Sequence, residues 1–412
     1  MIKRIYPRFP PKYIFKSGFI ILTGGTTLFA AAELYSLNEK FYEEQVMPLI
    51  HRFVDPEKSH RWAVKMAKYG LLTNSARTLK EYPELRCNVF DIEFKNPIGL
   101  AAGFDKNGEA IEGLGETGLG FIEIGSVTPL PQYGNDKPRV FRIEEDKAVI
   151  NRYGFNNDGG GLVSNRVKKA HKNLKLPLGV NLGKNKDTID AEHDYEIGVN
   201  YLAQDCEYLV INVSSPNTPG LRSLQSRNAL EKLMRTVKTA VKRAVPRSED
   251  RPNVLLKITV DLSENEKRDI AKLCLDSESG IDGLIISNTT IQRPETLKCK
   301  ESGGLSGEPL KKISTECIAE MYRLTQGRIP IIGCGGVSTG RDAYEKIRAG
   351  ASLVQFYTAL VYQGFPVIGR IKRELAECLR QDGFTSVQQA VGIDVKLNEA
   401  QKKHEKSRWW FW

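Results

Sequence analysis

Short apolar runs alternate with helical segments along the chain from Asn96 onward. Eight runs rich in Ile, Val and Leu end near Gly, Asn or Ser, namely Pro97–Ala102, Leu119–Gly125, Leu178–Leu182, Tyr208–Val213, Val254–Thr259, Gly283–Ser287, Pro330–Gly333 and Leu353–Tyr357. The segments between them have helical periodicity, and a capping box at Ser263 and Glu266 marks one helix start. Apolar strands alternating with helices predict a parallel sheet covered on both faces, and eight such units favour a closed α/β fold, the (β/α)8 TIM barrel. The segment Pro138–Ile150 is extra and predicts a hairpin near the top of the barrel.

The N-terminus has a different pattern. Residues 1–17 are basic and lack acidic side chains, and the uncharged stretch Gly18 to Ala32 follows. This stretch is shorter than the roughly 20 residues that span a bilayer, but it approaches that length when extended from Phe15 to Tyr35. It could be a secretory signal, a buried or interfacial helix, or a short single span. The basic composition before it favours a mitochondrial signal-anchor.

Two amphipathic helices are predicted next. Residues 37–54 carry an apolar stripe with a possible kink at Pro48, and the stripe comprises Phe41, Tyr42, Val46, Leu49, Ile50, Phe53 and Val54. Asp55 and Pro56 suit the N-cap and first residue of a second helix, whose apolar face comprises Trp62, Ala63, Met66 and Tyr69. The pair either caps the main domain or rests in a membrane interface.

These patterns divide the chain into four parts. We expect a targeting segment and transmembrane anchor over residues 1–36, an amphipathic helical domain over 37–75, the barrel over 76–395, and a basic, aromatic tail over 396–412. The net charge of +10 is concentrated at the two ends, which favours a solvated surface over a nucleic-acid site. Seven scattered cysteines without a CxxC argue against a disulfide framework, and neither they nor the five histidines predict a metal site.

Function in such barrels gathers where the strands end. There the chain is dense in Asn, Ser, Lys and Gly, and Asn side chains suit a planar heterocycle because they both donate and accept hydrogen bonds. Gly333 to Gly336 after the seventh strand, with Tyr357 and Thr358 after the eighth, match the usual barrel phosphate site, although a tight turn is the alternative. A phosphate-bearing redox cofactor in a barrel points to FMN.

Several longer motifs resemble one family. They are Ala101–Lys106, Asn151–Asn156, Asn212–Thr218, Gly304–Gly307 and Gly335–Val337. From about His60 to Gly392 the chain resembles dihydroorotate dehydrogenase. The N-terminal extension and Ser215 are similar to its membrane-associated, quinone-linked class 2, whereas the soluble class has a cysteine at the position of Ser215.

The resemblance implies oxidation of (S)-dihydroorotate to orotate in pyrimidine biosynthesis, with FMN as hydride acceptor and a quinone as electron acceptor. It implies Ser215 as the catalytic base, with Thr218 or a water chain as its proton outlet. Implied substrate contacts are Lys106, Asn151, Arg152, Tyr153, Gly154, Phe155, Asn156, Asn212, Asn217, Asn288 and Thr289. Implied FMN contacts are Ala101, Ala102, Gly103, Gly125, Ser126, Asn151, Asn181, Asn212, Lys257, Ser287, Gly307, Gly336, Tyr357 and Thr358.

The same resemblance implies a quinone channel. His60, Arg142 and Tyr357 align with its polar residues, so residues 37–75 become a quinone-access domain, held by the N-terminal anchor at the mitochondrial inner membrane. A packed helical cap, with His60 a satisfied core residue, is the alternative.

Two other functions stay open at this point. One is an FMN barrel that reduces uridine in tRNA, and the other is a membrane-tethered barrel that binds pyrimidines without turnover. The first would be expected to have a cysteine acid and an RNA-binding module, neither of which is visible in the sequence. We therefore expect dihydroorotate, a quinone and membrane lipid as partners, with no nucleic acid and no obligate protein partner.

Overall fold

The chain folds around a closed barrel of eight parallel strands, in a computed structural model that describes residues 10–72 and 76–397. Numbered along the chain, the barrel strands are β1 (Ile98–Leu100), β2 (Phe121–Val127), β3 (Leu178–Leu182), β4 (Tyr208–Asn212), β5 (Asn253–Ile258), β6 (Gly283–Ile286), β7 (Ile331–Cys334) and β8 (Leu353–Phe356). Each pairs with its neighbours in sequence, and β8 closes the ring on β1. The predicted TIM barrel is confirmed.

Helices cover the outside of the barrel. They are Ile111–Gly115, Gly160–His171, Ala191–Leu202, Arg227–Ala244, Glu264–Leu275, Lys311–Leu324, Gly340–Arg348, Thr358–Gln363 and Val367–Gln381. The expected capping box forms at Ser263 with Glu266, and a second one forms at Thr339 with Asp342. The strand whose ends differ most from the predicted run is β2. It continues to Val127, because its pairing with β3 resumes beyond an irregularity after Gly125.

The inserted hairpin is present and has a third strand. Val140–Ile143 pairs with Ala148–Asn151, which pairs in turn with Gly304–Gly307. Two terminal glycines weaken the sequence signal of Gly304–Gly307, and pairing with a strand remote in sequence makes it a strand. Short strands Cys87–Val89 and Ile92–Phe94 form a separate hairpin before β1.

The N-terminal segment forms one long helix, Pro11–Tyr35, whose apolar side chains are exposed to the surroundings. Within the described residues, Lys12–Tyr35 is the one helix long and apolar enough to cross a membrane. Residues 1–9 of the expected targeting segment lie outside the described residues, as does the tail from 398 onward.

The first amphipathic helix differs from its prediction. The predicted helical stretch is present, as Glu39–Phe41, a π-helical turn Tyr42–Val46 and Met47–Phe53 in unbroken succession, but its irregularity is this π-helical turn and not a kink at Pro48. Pro48 lies at the start of the last piece, and its missing N–H and its ring disfavour ordinary helical bonding to the preceding turn. The wider turn therefore precedes the proline rather than following it.

The second amphipathic helix is Pro56–Lys68, and Asp55 caps it as predicted by accepting from the backbone N–H groups of Glu57 and Lys58. Its expected apolar face is largely uncovered, since Trp62 is 55% and Tyr69 68% exposed. The opposite side packs closely on the barrel helix Ile111–Gly115.

Gly113 allows that close packing, because a Cβ added there would overlap the carbonyl oxygen of Ala67. We expect Gly113→Ala to lower the free energy of unfolding by about 1–3 kcal/mol, the usual range for overpacking. Thermal unfolding of the detergent-solubilised chain measures it. Gly161→Ala is the matched control, since its nearest added contact is an ordinary 3.9 Å from Tyr201. Equal stability of the two variants would contradict the close helix contact.

Candidate active site

A cavity lies at the carboxyl ends of the barrel strands, and most of the predicted site residues line it. They are Ala101, Ala102, Gly103, Lys106, Ser126, Asn151, Tyr153, Gly154, Phe155, Asn212, Ser215, Asn217, Lys257, Ser287, Asn288, Thr289, Gly307, Gly336, Tyr357 and Thr358. They come from the ends of seven of the eight barrel strands, all except β3, and from the inserted sheet. The barrel topology therefore brings together side chains that lie more than 250 positions apart along the sequence.

Amide side chains form one connected network at this level. Asn212 Nδ2 donates to Ser126 Oγ at 3.0 Å and to Asn181 Oδ1 at 3.1 Å. Asn288 Nδ2 donates to Asn212 Oδ1 at 3.2 Å and to Ser214 Oγ at 3.0 Å. The amide planes are thereby fixed, which pre-orients donors and acceptors for a flat polar ligand.

A buried ion pair lies at the edge of that network. Lys257 on β5 lines the cavity, and its Nζ lies 3.3 Å from Oε1 of Glu123 on β2. Asn181 donates to the same oxygen at 2.9 Å. Sequence reasoning missed Glu123, although a lone acid inside the apolar run Phe121–Val127 was the available signal.

Glycines build the opposite end of the cavity. Gly335, Gly336 and Gly307 all have positive φ values, of 111°, 69° and 98°. A Cβ at Gly336 would overlap the backbone of Lys311, so only glycine lets this turn lie against the neighbouring helix. The glycine turns lie beside the first residues of Thr358–Gln363, and together they suit a phosphate group.

Ser215 lies in the loop after β4. It is 7% exposed, lines the cavity, and accepts a hydrogen bond from the Asn217 backbone N–H at 3.3 Å. Thr218 Oγ1, three residues on, is buried and has no hydrogen-bond partner within residues 10–72 and 76–397. The loop is anchored by Arg222, which donates to the Ser214 carbonyl and pairs with Asp261 at 3.0 Å.

Lys106 is the cation of the loop after β1. Its Nζ lies 3.5 Å from the centre of the Tyr153 ring. Burial, together with the charge of Arg139, lowers the pKa of Lys106 to about 7. Arg139 itself forms a buried two-point ion pair with Glu57, at 2.8 and 3.0 Å. A negatively charged ligand beside Lys106 would favour the protonated form.

His60 connects the helical extension to the site. Its Nε2 lies 2.7 Å from the carbonyl oxygen of Phe104, so that nitrogen carries the proton and Nδ1 accepts from the Tyr153 hydroxyl at 3.1 Å. Burial is the main reason that the pKa of His60 is lowered to about 4, and the charge of Lys106 adds to it. Both ring nitrogens therefore have partners within the protein, as expected for a packed histidine.

A second, mostly apolar cavity lies between the two amphipathic helices. His60, Arg142 and Tyr357, the three predicted channel residues, all line it. Tyr357 and Tyr153 line both this cavity and the first one. The two cavities are therefore separated by little more than these tyrosine side chains.

Four of the predicted substrate and FMN contacts, Gly125, Arg152, Asn156 and Asn181, do not line the main cavity. Arg152 forms an ion pair with Glu301 at 2.6 Å and stacks on Phe141, outside the cavity. Side chains alternate along an extended segment, and the neighbours Asn151 and Tyr153 take the inward positions. Its predicted substrate contact is therefore not supported. Asn156 lies in an adjoining polar cavity, where its Oδ1 has no partner among the described residues.

Asn181 and Gly125 lie one layer behind the wall. Asn181 is fully buried and accepts from Ser126 and Asn212, so it acts on a ligand through those side chains. Gly125 has a φ of 102°, and a Cβ there would overlap the Asn181 carbonyl oxygen. Both shape the site without forming its surface.

The cavity fits a flat, phosphate-bearing cofactor. Gly103 lines it with a φ of 101°, and a Cβ added there would meet no atom within 4 Å, so open space adjoins this backbone. The fixed amides and Lys257 lie on one side and the glycine turns on the other. This donor set matches a polar ring system joined to an anion.

Known proteins share this sequence and fold. The profile of the family described as Dihydroorotate dehydrogenase matches residues 84–379. The chain is 50% identical to "Dihydroorotate dehydrogenase (quinone), mitochondrial" of Mus musculus over 91% of this chain and 96% of the mouse protein. It is 50% identical to "Dihydroorotate dehydrogenase (quinone)" of Rhodospirillum rubrum, over 83% of this chain and 92% of that protein.

A solved structure is also similar. The crystal structure of DHODH from Eimeria tenella in complex with ferulenol superposes with a TM-score of 0.80 at 43% identity. The match covers 85% of this chain and 99% of that one. The similarity therefore includes the barrel and part of the helical extension.

The low pKa of His60 predicts a pH-dependent stability. Its folded pKa of about 4 lies below the unfolded value of about 6.5, so the stabilisation is present above pH 6.5 and is lost as the pH falls toward 4. The free energy of unfolding of the wild type, measured with urea, should fall by about 1–3 kcal/mol as the pH is lowered from 6.5 to 4, in addition to the change that the carboxylates cause. His60→Gln should show a smaller loss, whereas the exposed-site control His193→Gln should follow wild type. If the free energies of unfolding of wild type and His60→Gln had the same pH dependence, His60 would not be the source of the acid destabilisation.

Proposed function

This chain belongs to the dihydroorotate dehydrogenase family, and on that premise we propose that it oxidises (S)-dihydroorotate to orotate in pyrimidine biosynthesis. FMN would accept hydride from the substrate and pass the electrons to a quinone of the ubiquinone type. The observation that carries the proposal is the convergence of Ser215, Lys106 and a fixed set of amides on one cavity beside a glycine-rich anion site. Members of this family are flavin-dependent, and FMN is the form that the phosphate-sized glycine cradle favours.

The cofactor would be held along the strand ends. Lys257, Ser126 and Asn212 would face its polar ring edge, while Gly307, Gly336 and Thr358 would surround its phosphate. Lys257 would stabilise the negative charge that the ring gains on reduction. The remaining implied contacts border the same space: Ala101, Ala102, Gly103, Asn151, Ser287 and Tyr357.

The substrate would lie between the cofactor and the Ser215 loop. Lys106 would pair with its carboxylate, and Asn151, Asn217 and Asn288 would bind its ring amides. Phe155, Gly154 and Tyr153 adjoin this space.

Ser215 Oγ would take the C5 proton. A serine hydroxyl is a weak base, so the proton must be passed on as it arrives. Thr218 Oγ1 is suited to receive it, because it is buried and none of the described residues forms a hydrogen bond with it.

Electrons would leave through the helical extension. The apolar cavity suits a long isoprenoid tail, and its polar lining residues His60, Arg142 and Tyr357 suit a quinone head group. Residues 37–75 would thus form the quinone-access domain of the proposed four-part chain. The helix Lys12–Tyr35 would anchor the protein to lipid, at the mitochondrial inner membrane, consistent with the mitochondrial relatives.

The first test is the bound flavin itself. A yellow preparation should be bleached by dihydroorotate and regain its colour with a quinone. In stopped-flow traces, Ser215→Ala should retain its flavin yet bleach about 10²–10⁴-fold more slowly, the usual effect of removing one acid–base group. The control is Ser279→Ala, a buried serine that neither lines the cavity nor belongs to its amide network, and this variant should bleach at the wild-type rate. Unchanged bleaching in Ser215→Ala would exclude it as the base.

The second test separates the two half-reactions. Deletion of residues 1–36 should leave a soluble enzyme that completes both, because the helices of the access domain remain. Deletion of residues 1–72 should preserve bleaching by dihydroorotate, but the variant should reoxidise slowly with a quinone, because the deletion removes both helices that border the apolar cavity. If the longer deletion reoxidises at the full-length rate, the helices are only a packed cap.

A further inference from the structure

Glu123 is an acidic side chain in the interior of the barrel. It is fully buried on β2, between Ile122 and Ile124, and Phe121 precedes it by two residues on the same face. Placing a carboxylate in such an interior costs several kcal/mol unless its charge and lone pairs are matched. The barrel therefore keeps this charge only because other strands supply partners for it.

Three donors from three other strands meet the carboxylate. Lys257 on β5 and Asn181 on β3 reach Oε1 at 3.3 and 2.9 Å. Gln355 on β8 reaches Oε2 at 2.6 Å. Both oxygens are thus occupied, and the ion pair joins opposite sides of the barrel.

The two residues of the ion pair, Lys257 and Glu123, differ in their access to the cavity. Lys257 lines the cavity, whereas Glu123 and Gln355 do not. A ligand in the cavity therefore meets the ammonium group directly and the carboxylate only through it. At interior distances and low dielectric, each of these charges contributes to the potential at the cavity wall.

We propose that Glu123 is a positioning residue that sets the reduction potential of the bound flavin, by holding Lys257 at the cavity wall and offsetting part of its positive charge. This inference rests on the proposed function, which puts a flavin beside Lys257. An uncompensated Lys257 would stabilise the negative charge of the reduced cofactor more strongly. Substrate oxidation would then be favoured and electron transfer to the quinone disfavoured, so Glu123 balances the two half-reactions.

Glu123→Gln isolates the charge. The amide has nearly the shape of the carboxylate and can still accept from Lys257 and Asn181 through its oxygen. Gln355 can turn its own amide so that its oxygen accepts from the new NH2 group. The network is retained while one negative charge is removed.

The measurement is the midpoint potential of the full-length holoenzyme, obtained by equilibrium reduction against a reference dye. In Glu123→Gln it should rise by at least the equivalent of a tenfold change in the reduction equilibrium, about 30 mV for a two-electron couple. Reoxidation by a quinone should slow correspondingly. Asp194→Asn is the matched control, a buried carboxylate whose partner Asn185 does not line the cavity, and its potential should stay at the wild-type value.

Lys257→Met and the double variant provide the decisive comparison. Lys257→Met should lower the potential, and adding Glu123→Gln should return it most of the way to wild type, because a balanced pair is exchanged for two neutral groups. A purely structural role predicts instead that the double variant is disturbed at least as much as either single one.

If Glu123→Gln does not retain flavin, the comparison is between Lys257→Met and the double variant. The midpoint potential of the double variant must then be higher by the equivalent of a tenfold change in the reduction equilibrium. A potential that is unchanged or lower on removing Glu123 overturns the inference.

The proposed function is judged separately, from the flavin content of wild type and its bleaching by dihydroorotate. The dye titration needs no substrate, so a failure to bleach would leave the potentials measurable. A wild-type chain that binds no flavin would overturn both proposals.

Discussion

Closure of the barrel around two aromatic rings is the constraint on which the rest of the structure depends. Phe121 on β2 and Tyr208 on β4 fill the lower interior, with their ring centres 6.5 Å apart. Gly99 and Gly179 lie on adjoining strands, and a Cβ on either would overlap one of these rings. The barrel can close at this width only because large and small residues alternate across neighbouring strands. The lower end is thereby packed solid, and the upper end remains for ligands.

That division explains where the polar groups are found. The interior changes from apolar to polar over two residues of β2, from Phe121 to Glu123. Above Glu123 lies the hydrogen-bonded network of Asn181, Asn212 and Lys257. Buried polar groups of this kind are tolerated only when they satisfy one another, so the network also fixes their geometry. The same hydrogen bonds that permit burial give the cavity wall its rigidity.

Much of this architecture could be predicted from sequence because it follows from local signals. The boundaries of β3, Leu178–Leu182, coincide with the apolar run, and Asp55 caps its helix as its residue type suggests. Gly304–Gly307 could not be recognised as a strand, since its partner Ala148–Asn151 is remote in sequence. A motif also does not say which way a side chain points.

The candidate site shows the same limit. Family resemblance placed Asn151 to Asn156 together, and the motif does border the cavity, but extended backbone turns Arg152 outward toward Glu301. Glu123 was overlooked because it lies below the strand ends where function was sought. Its significance depends on three partners from distant strands, which only the closed barrel brings within hydrogen-bonding distance.

The position of the apolar helix Pro11–Tyr35 has a further consequence, which concerns the concentration that decides how full the apolar cavity is. Ala31, Leu34 and Tyr35 at the end of that helix help to line the apolar cavity. With the helix in a bilayer, as proposed, a lipid-soluble ligand would reach the cavity from the lipid, and its mole fraction in the lipid would decide occupancy. Extra vesicles or detergent would then dilute this ligand although its molarity in the sample is constant. The water-soluble ligand of the polar cavity would undergo no such dilution, so the occupancies of the two cavities would depend on two different concentrations, a mole fraction in lipid and a molarity in water.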